Sequence, residues 1–448
     1  MLLAIRMPAE PVLALAVHWE GIRTTETTLR ILVLSINYWP DETGIAAFNT
    51  WRCEYLAAQG HEVTICTGPP YYPEWRIPER YRRKLVEREI RNGVTILRSW
   101  MFVPQVPNAK TRILHEASFL ASSFLRALCT PKPDLIFAVS PPLGLGLTAA
   151  TLSRLWRVPF IFDVEDLQPD AAVEFGMIKQ QSVIRALYRM ENFAYRRAAL
   201  VSTITEGMRQ RIVQKGIAPE KVVLFPARAD SSLYSLRDRY DGKAFREKHG
   251  LVGKLIVSHS GNMGVKQGLE VILEAAAKSR AQEDIQYLFV GDGAMRSQLE
   301  ARARNLSNVR FLPVLEKDAF MQMLAATDIA LITQQRIVSD IVFPSKTVTL
   351  LSAGCPVIAS VNSGSEVART VLRSGAGLVV EPENADALLT SIQGLAKSPE
   401  TLAGMSRQAR RFAIDSWDES FTLPRMEQQF VDCANRWQRT PAYGVSAD

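Results

Sequence analysis

The sequence predicts an α/β protein made of two doubly wound, Rossmann-like domains in tandem. Short and almost continuous apolar runs recur along most of the 448 residues, and helical periodicity follows them. Runs of this kind are typical of parallel strands that helices cover on both faces. A polar, charge-rich stretch at residues 228–253 separates two such series, which indicates two domains.

The first series begins at residues 30–36 (RILVLSI), which we predict as a buried strand. A helix is predicted over residues 43–58, and Gly60 ends it. The other strands predicted for this domain are, in order, residues 62–67, 134–140, 159–163, 199–203 and 222–225. Strands that alternate with helices in this way predict a parallel sheet.

The second series begins with a strand at residues 254–260, followed by a glycine-rich turn and a helix over 268–280. Its other predicted strands are residues 286–290, 309–312, 328–332 and 356–360. A last helix at 419–437 is expected to pack back across the hinge. The predicted segments are a leader at 1–29, an N-terminal domain at 30–226, a hinge at 227–250, a C-terminal domain at 251–415, and a closing helix with its tail at 416–448.

Composition excludes several classes of protein. Hydrophobic residues make up 47% and charged residues 22%, which argues against disorder. The five cysteines form no C-x-x-C pair, a pattern typical of a reducing compartment rather than of a disulfide scaffold. The five histidines show no zinc-ligand spacing, and no apolar run reaches the length of a membrane span. The net charge of +7 is compatible with an anionic ligand, an anionic membrane or nucleic acid.

Two glycine turns follow predicted strands and are candidate anion sites. Gly44 opens the first helix, where unpaired backbone N–H groups favour an anion, although a plain helix cap at Thr43 would also explain it. The turn at residues 260–268 contributes Gly261, Asn262, Gly264 and Lys266. No Walker A motif is present, so nucleotide hydrolysis of the P-loop kind is not expected.

A third glycine stretch suggests an alternative function. Residues 144–149 (GLGLTA) resemble a nicotinamide-binding fingerprint, and Asp163 ends the next strand. An oxidoreductase is therefore an alternative, but Pro141 and Pro142 stiffen this turn. Close packing of a helix would also explain the glycines.

Carboxylates gather after the strand at 159–163, namely Asp163, Glu165, Asp166 and Asp170. Paired carboxylates suit acid–base chemistry, and crowding raises the pKa of one of them. Caps of neighbouring helices are the alternative interpretation. No D-x-D motif is present, so the sequence offers no evident metal clamp.

A lysine stands in the first turn of a predicted helix near residue 345. Ser345 would cap this helix, and Lys346 would oppose the helix dipole unless an anion lies nearby. Arg336 and Asp340 are expected to line the same site. Glu366 follows the strand at 356–360, where it would accept sugar hydroxyls or simply begin a helix.

Several motifs together resemble glycosyltransferase family 4, whose GT-B fold has two Rossmann-like domains facing a cleft. They are residues 36–48 (INYWPDETGIAAF), 56–75 (LAAQGHEVTICTGPPYYPEW), 260–276 (SGNMGVKQGLEVILEAA), 289–300 (FVGDGAMRSQLE), 343–360 (FPSKTVTLLSAGCPVIAS) and 363–368 (SGSEVA). Within that family the chain is most similar to colanic acid biosynthesis and fucosamine-type transferases.

The resemblance implies a retaining transfer of a sugar from a UDP- or GDP-linked donor, without a metal or another cofactor. Gly44 and the 261–264 turn would approach the diphosphate, and Glu366 would hold the ribose or sugar. Backbone groups at 312–314, including Pro313 and Val314, would bind the base.

The chain departs from the family at several charged positions. Asn262 and Gln267 stand where many members have Arg and Lys, so Lys346, Arg336 and Lys266 are expected to supply the positive charge. Ile341 and Thr349 replace a pair of glutamates. The His-Asp of the first domain corresponds to Asp163 and Asp166, which we list with Lys346 as candidate catalytic residues.

Residues 76–112 hold ten Lys and Arg with interleaved aromatic residues, and an amphipathic helix is predicted at 113–128. These features suit an anionic membrane surface, here the inner face of the cell membrane, and a polyprenyl-diphosphate-linked acceptor. A core helix beside a solvated face is the alternative, and no nucleic-acid-binding module is recognisable. A nucleotide-sugar epimerase and an inactive binding protein are the remaining alternatives to the transferase.

Overall fold

The computed structural model describes residues 27–41, 44–72, 74–174, 178–226, 229–337 and 345–439. The chain divides into two compact units. One unit contains the described residues up to Phe225 together with those from Ser420, and the other runs from Pro226 to Glu419. The predicted leader lies outside the described residues except for its last three positions, and Asp340 and Ile341 lie outside them as well.

A twisted sheet of eight described strands forms the centre of the first unit. The strands are β1 Arg30–Leu34, β2 Glu62–Thr67, β3 Val86–Arg91, β4 Val94–Ser99, β5 Leu135–Ser140, β6 Phe160–Val164, β7 Leu200–Thr203 and β8 Val222–Leu224. Their order is β3-β4-β2-β1-β5-β6-β7-β8. The pair of β3 and β4 is antiparallel and the other pairs are parallel, so the carboxyl ends of the parallel strands share one edge of the sheet.

Helices connect the parallel strands of this unit. They are α1 Ile45–Ala58, α2 Ala109–Leu128, α3 Leu145–Trp156, α4 Gln168–Glu174, α5 Gln181–Arg197 and α6 Glu206–Gln214. Gly44 takes the N-cap position of α1 with a φ of 58°, a left-handed backbone that glycine adopts without strain. Thr43, the alternative cap, lies outside the described residues.

The second unit contains a parallel sheet of six described strands. They are β9 Leu255–Ser260, β10 Ile285–Val290, β11 Val309–Leu312, β12 Ile329–Thr333, β13 Val357–Ser360 and β14 Gly377–Val380, in the order β11-β10-β9-β12-β13-β14. Its helices are α7 Leu236–Arg239, α8 Lys243–Lys248, α9 Glu270–Lys278, α10 Arg296–Arg302, α11 Lys317–Ala326, α12 Ser345–Ser352, α13 Glu366–Ser374, α14 Ala385–Ala396 and α15 Pro399–Trp417.

The last helix, α16 Glu419–Arg439, contributes to the core of the first unit. The rings of Phe137 in β5 and Phe430 in α16 are 5.0 Å apart, and Phe225 lies 5.9 Å from Phe430. Tyr55 in α1 donates a hydrogen bond of 2.8 Å to Glu427, which is fully buried. Aromatic packing and a buried polar anchor therefore hold this helix on the sheet.

The stretch predicted as a hinge contains folded structure. Helices α7 and α8 both contact α11, and Arg246 of α8 pairs with Asp328 at 2.9 Å. Arg237 of α7 donates to the backbone oxygens of Ala325 and Thr327. The charge of this stretch is thus partly used to bind helix ends of the second unit.

The predicted fold class and the eleven predicted strands agree with the structure to within about two residues at each end. Strands β3, β4 and β14 were not predicted. The turn between β3 and β4 is Asn92-Gly93, with φ values of 45° and 79°, which is a typical signal of a β-hairpin. No helix among the described residues is long and apolar enough to cross a membrane.

Candidate functional site

The candidate site of the second unit is formed where β9 and β10 end. Gly261 follows β9 with a φ of 117°, and Gly291 follows β10 with a φ of 130°. A Cβ atom on Gly291 would lie 2.1 Å from the backbone oxygen of Gly261, so only glycine permits the two loops to approach this closely. Backbone hydrogen bonds from Gly261 to Val290 and from Met263 to Asp292 join the loops.

The side chain of Asn262 lies inside this double loop. A Cβ atom on Gly293 would lie 2.5 Å from Asn262 Oδ1, and one on Gly264 would lie 3.1 Å from Asn262 Nδ2. Asn262 therefore fills the space between two glycines.

Lys346 is the charged group beside this turn. Its side chain is half-buried in the first turn of α12, its Nζ atom is buried, and Nζ would lie 4.0 Å from a Cβ atom on Gly261. Nζ has no hydrogen-bond partner within the part of the chain that the structure describes. Burial lowers the pKa of Lys346 to about 8. An unpaired buried ammonium group is unfavourable by itself and favours an anionic ligand.

His259, near the end of β9, faces the same charge. Burial lowers the pKa of His259 well below its ordinary value, and the Lys346 ammonium lowers that pKa further. The imidazole is therefore neutral at physiological pH and adds no second positive charge. Helix α12 begins at Ser345, and Lys346 lies in its first turn. The predicted capping by the Ser345 side chain lies outside what the structure describes.

Arg296 was not predicted from the sequence, and it organises the neighbouring loop. It donates to the backbone oxygens of Gly291 and Leu312, the latter at 3.0 Å, and pairs with Glu300 at 2.8 Å. The side chain thus holds the ends of β10 and β11 together. Pro313 and Val314, the predicted base-binding segment, follow directly and are exposed. The sequence signal that would have identified Arg296 is an Arg in the first helical turn after a G-D-G loop.

Arg336 and Glu366 follow β12 and β13, which are neighbouring strands of the second sheet. Glu366 is buried in the first turn of α13, and its carboxylate pairs with Arg369 at 3.0 Å and with Arg373 at 3.8 Å. The backbone oxygen of Arg336 accepts from Asn362 at 2.9 Å, and the Arg336 side chain donates to Pro382. Lys266 is exposed in the turn before α9.

The acidic residues of the first unit separate into different environments. Asp163 is fully buried in β6, where it pairs with Arg52 at 2.8 Å and accepts from Ser202 at 2.6 Å. Glu165 pairs with the same Arg52 at 2.8 Å. Burial raises the pKa of Glu165 to about 8; Arg52 opposes this shift and Asp163 adds to it. One proton is therefore retained in the cluster at neutral pH, and these contacts support a structural role for Asp163.

Asp166 and Asp170 lie in more exposed surroundings than Asp163 and Glu165. Asp166 follows β6 and is exposed. Asp170 of α4 pairs with Lys215, which also binds the buried Glu191 at 2.7 Å. Among the described residues no three His, Cys, Asp or Glu side chains are grouped closely enough to hold a metal ion.

The glycines of the nicotinamide-like stretch are explained by packing. A Cβ atom on Gly144 would lie 2.3 Å from Leu120 of α2, and one on Gly146 would lie 2.5 Å from Ala194 of α5. These glycines allow α3 to approach its neighbouring helices. The structure therefore gives this stretch a packing role.

Two family comparisons cover most of the chain. The Glycosyl transferase 4-like domain matches residues 43–228, and the Glycosyl transferases group 1 domain matches residues 241–412. The chain is 34% identical over 413 residues to the "Putative colanic acid biosynthesis glycosyl transferase WcaI" of Escherichia coli (strain K12), covering 90% of this chain and 99% of that protein. The chain belongs to glycosyltransferase family 4.

Solved structures confirm the fold of this family 4 glycosyltransferase. Sucrose-phosphate synthase from Thermosynechococcus elongatus superposes with a TM-score of 0.69 at 17% identity, over 91% of this chain and 99% of the other. Anabaena HepE in complex with UDP gives a TM-score of 0.65 at 17% identity, over 90% and 100% of the two chains. The transferase thus has the two parallel-sheet, Rossmann-like domains of the GT-B class, as its sequence predicts.

Proposed function

We propose that this glycosyltransferase transfers a sugar from a UDP- or GDP-linked donor to a lipid-linked glycan acceptor in surface polysaccharide biosynthesis, with retention of anomeric configuration and without a metal. The buried, unpaired ammonium group of Lys346 beside the Gly261 turn carries this proposal. A diphosphate leaving group develops negative charge as the glycosidic bond breaks, and a fixed positive charge stabilises it.

The geometry supports a diphosphate as the anion at this turn. Parallel sheets bind ligands at the carboxyl ends of their strands, and the Gly261 and Gly291 loops lie there. The glycine backbone leaves space that a side chain would occupy, so phosphate oxygens can approach Lys346. The related structure of HepE holds UDP, which is consistent with a nucleoside diphosphate as the ligand here.

Glu366 is proposed to bind hydroxyl groups of the nucleotide sugar. Glu366 is the first residue of α13, directly after the loop that follows β13. Arg369 orients its carboxylate. An oriented carboxylate accepts two hydroxyl hydrogen bonds with little reorganisation. Arg336 and Lys266 are proposed to add more distant positive charge, and Pro313 and Val314 to contact the base. Asp166 is proposed as the first-unit residue that contacts the reacting groups.

A polysaccharide role follows from the likeness to the WcaI protein, whose name refers to colanic acid biosynthesis. A membrane-linked acceptor requires contact with lipid, and the edge strand β3 offers a suitable face. Val86, Arg88 and Ile90 alternate along that face, with Val86 60% and Ile90 69% exposed. Exposed apolar side chains beside cations suit an anionic lipid surface, which we propose is the inner face of the cell membrane.

Thermal unfolding with UDP, GDP, ADP, NAD and NADP, each with and without EDTA, tests the nucleotide assignment. A ligand at 100 times its Kd stabilises a protein by about 2.7 kcal/mol, which raises Tm by several degrees. We expect UDP or GDP to raise Tm equally in EDTA. Stabilisation by NAD or NADP alone would contradict the proposal, and an effect of UDP or GDP that EDTA removes would contradict metal independence.

A further inference from the structure

Helix α2 presents a continuous apolar stripe to solvent. Five exposed positions recur along it at spacings of three and four residues, which place them on one side of the helix. These positions, the α2 stripe, are Leu114, Ala117, Ala121, Leu125 and Leu128. Leu114 is 54% exposed and Leu125 is 64% exposed. Single exposed apolar side chains are common on a protein surface, whereas a contiguous patch indicates a surface that another molecule covers.

The opposite side of α2 packs within the first unit. His115, Phe119, Ser123 and Ala127 recur there every four residues, and all four are buried. Helical spacing places them about half a turn away from Ala121 around the helix. The helix therefore already has a side that packs against its own chain, and the α2 stripe is a second apolar side.

The α2 stripe carries no charge, although the chain has a net charge of +7. Glu116 and Arg126 are the only Asp, Glu, Lys or Arg residues between positions 113 and 128, and helical spacing places both on the side away from Ala121. An anionic membrane favours apolar side chains accompanied by cations, as on the face of β3, and the stripe lacks cations along its length. Two copies of a basic chain repel each other where cations are exposed, so an uncharged face is where they can meet.

The spacing of the stripe is symmetric about Ala121. Leu114 and Leu128 lie seven residues on either side of it, and Ala117 and Leu125 lie four residues on either side. In an antiparallel pair of identical helices with a two-fold axis at Ala121, Leu114 lies level with Leu128 of the other copy and Ala117 lies level with Leu125. Each Leu125 then packs beside a small side chain, and the two central alanines let the backbones approach closely. The α2 stripe is therefore complementary to itself, as a two-fold interface requires.

The neighbouring helix α3 enlarges this surface. Its N-terminal end packs against α2, where a Cβ atom on Gly144 would lie 2.3 Å from Leu120. Leu155 of α3 is 59% exposed and Leu147 is 38% exposed. Two such surfaces bury on the order of 1,000 Å² together, which is near the lower limit of specific interfaces. We therefore expect a dimer that dissociates on dilution rather than an obligate one.

We propose that α2 forms a two-fold interface with α2 of a second copy of this chain, with Ala121 at the symmetry axis. Removal of the leucine side chains from water drives the association. The inference is independent of the proposed transferase function, because the α2 stripe contains no residue assigned to the nucleotide.

Sedimentation velocity of the full chain at concentrations from about 1 to 100 μM tests the interface. We expect the mass to rise with concentration from 50.0 kDa toward twice that value. Ala121→Glu and Ala121→Lys should each weaken association at least about tenfold, because like charges then meet at the axis. An equimolar mixture of the two variants should restore the dimer, because opposite charges then meet. Ala121 is exposed, so both variants are expected to fold with an unchanged monomer Tm.

Ala186→Glu and Ala186→Lys are the matched controls, since Ala186 is an exposed alanine of α5 on the same unit. Both controls should associate as the unaltered chain does. A chain that stays monomeric at every concentration, a dimer that persists in both Ala121 variants, or a mixture of those variants that stays monomeric would each overturn the proposal. A monomer whose binding to phosphatidylglycerol vesicles is lost in Ala121→Glu would also overturn it, and would assign the α2 stripe to lipid.

Discussion

Lys346 Nζ lies 4.0 Å from the position that a Cβ atom would take on Gly261. Among the described residues, Nζ has no hydrogen-bond partner. The turn thus presents a glycine backbone and the helix presents a buried charge to the same small space. Because a buried charge without a counterion destabilises the protein, this arrangement favours the ligand-bound state.

Lys346→Met is expected to change stability and binding in opposite directions. Removing an unpaired buried ammonium group should raise the Tm of the ligand-free protein, because methionine is apolar and similar in length. Affinity for UDP or GDP should fall about 10- to 100-fold, the loss of one charged hydrogen bond. Calorimetric titration and thermal unfolding measure the two effects. Lys317→Met, at an exposed lysine of α11 in the same unit, is the comparison; equal losses of affinity in both variants would argue against Lys346.

The affinity for the nucleotide should depend on pH above neutrality. The pKa of Lys346 is lowered to about 8 by burial, so the ligand-free protein loses this proton as the pH rises through 8. Binding the diphosphate to the charged form then requires proton uptake, and affinity should fall by up to about tenfold per pH unit between pH 8 and 10. Lys346→Met should remove that dependence. A flat profile in the unaltered chain would contradict the role of Lys346.

Glu165→Gln should reduce the pH dependence of stability between pH 5 and 8. Burial raises the pKa of Glu165 to about 8, above its value in the unfolded chain. Because the folded chain holds this proton more tightly than the unfolded chain, protonation of Glu165 stabilises the fold. This stabilisation is complete below the unfolded pKa of about 4.3 and is lost as the pH rises through 8. The Tm difference between Glu165→Gln and the unaltered chain should therefore increase in favour of the variant with rising pH. A constant difference across this range would show that Glu165 remains ionised.

Tyr55→Phe should destabilise the first unit, because Glu427 of α16 would lose a buried hydrogen-bond donor. The expected loss is about 1–3 kcal/mol in the free energy of unfolding. Tyr240→Phe is the control, since Tyr240 makes the same kind of bond to Asp318 at an exposed site of the second unit. Urea unfolding of both variants measures the difference, and equal small losses would show that this bond does not anchor α16.

The face of β3 should bind anionic lipid. We expect sedimentation with vesicles containing phosphatidylglycerol and not with vesicles of phosphatidylcholine alone. Arg88→Glu combined with Ile90→Glu should weaken binding at least tenfold, since a charge near the surface contributes about 1 kcal/mol and apolar area is lost too. The control is Lys248→Glu combined with Val252→Glu, which makes the same change of charge at an exposed part of the second unit. Equal effects of both pairs would contradict a specific lipid-binding face.

Local signals in the sequence predicted the elements that depend on local periodicity. Buried parallel strands such as β1 and β5 are continuous apolar runs and were found. The hairpin of β3 and β4 was missed because the outer strand, VEREIR, alternates charged with apolar residues and resembles a solvated stretch. The Asn92-Gly93 turn would have identified it.

The sequence by itself determined the two α/β domains, the glycine turn at 261–264 and a lysine placed at a helix start, because these depend on residues close together along the chain. Only the tertiary structure decided the environment of each charged group. Arg52 and Asp163 are 111 residues apart, yet the sheet brings them together in a buried pair. The same burial leaves Lys346 without a described partner. Burial and long-range pairing determine whether a charge is structural or available to a ligand, and neither can be inferred from local spacing.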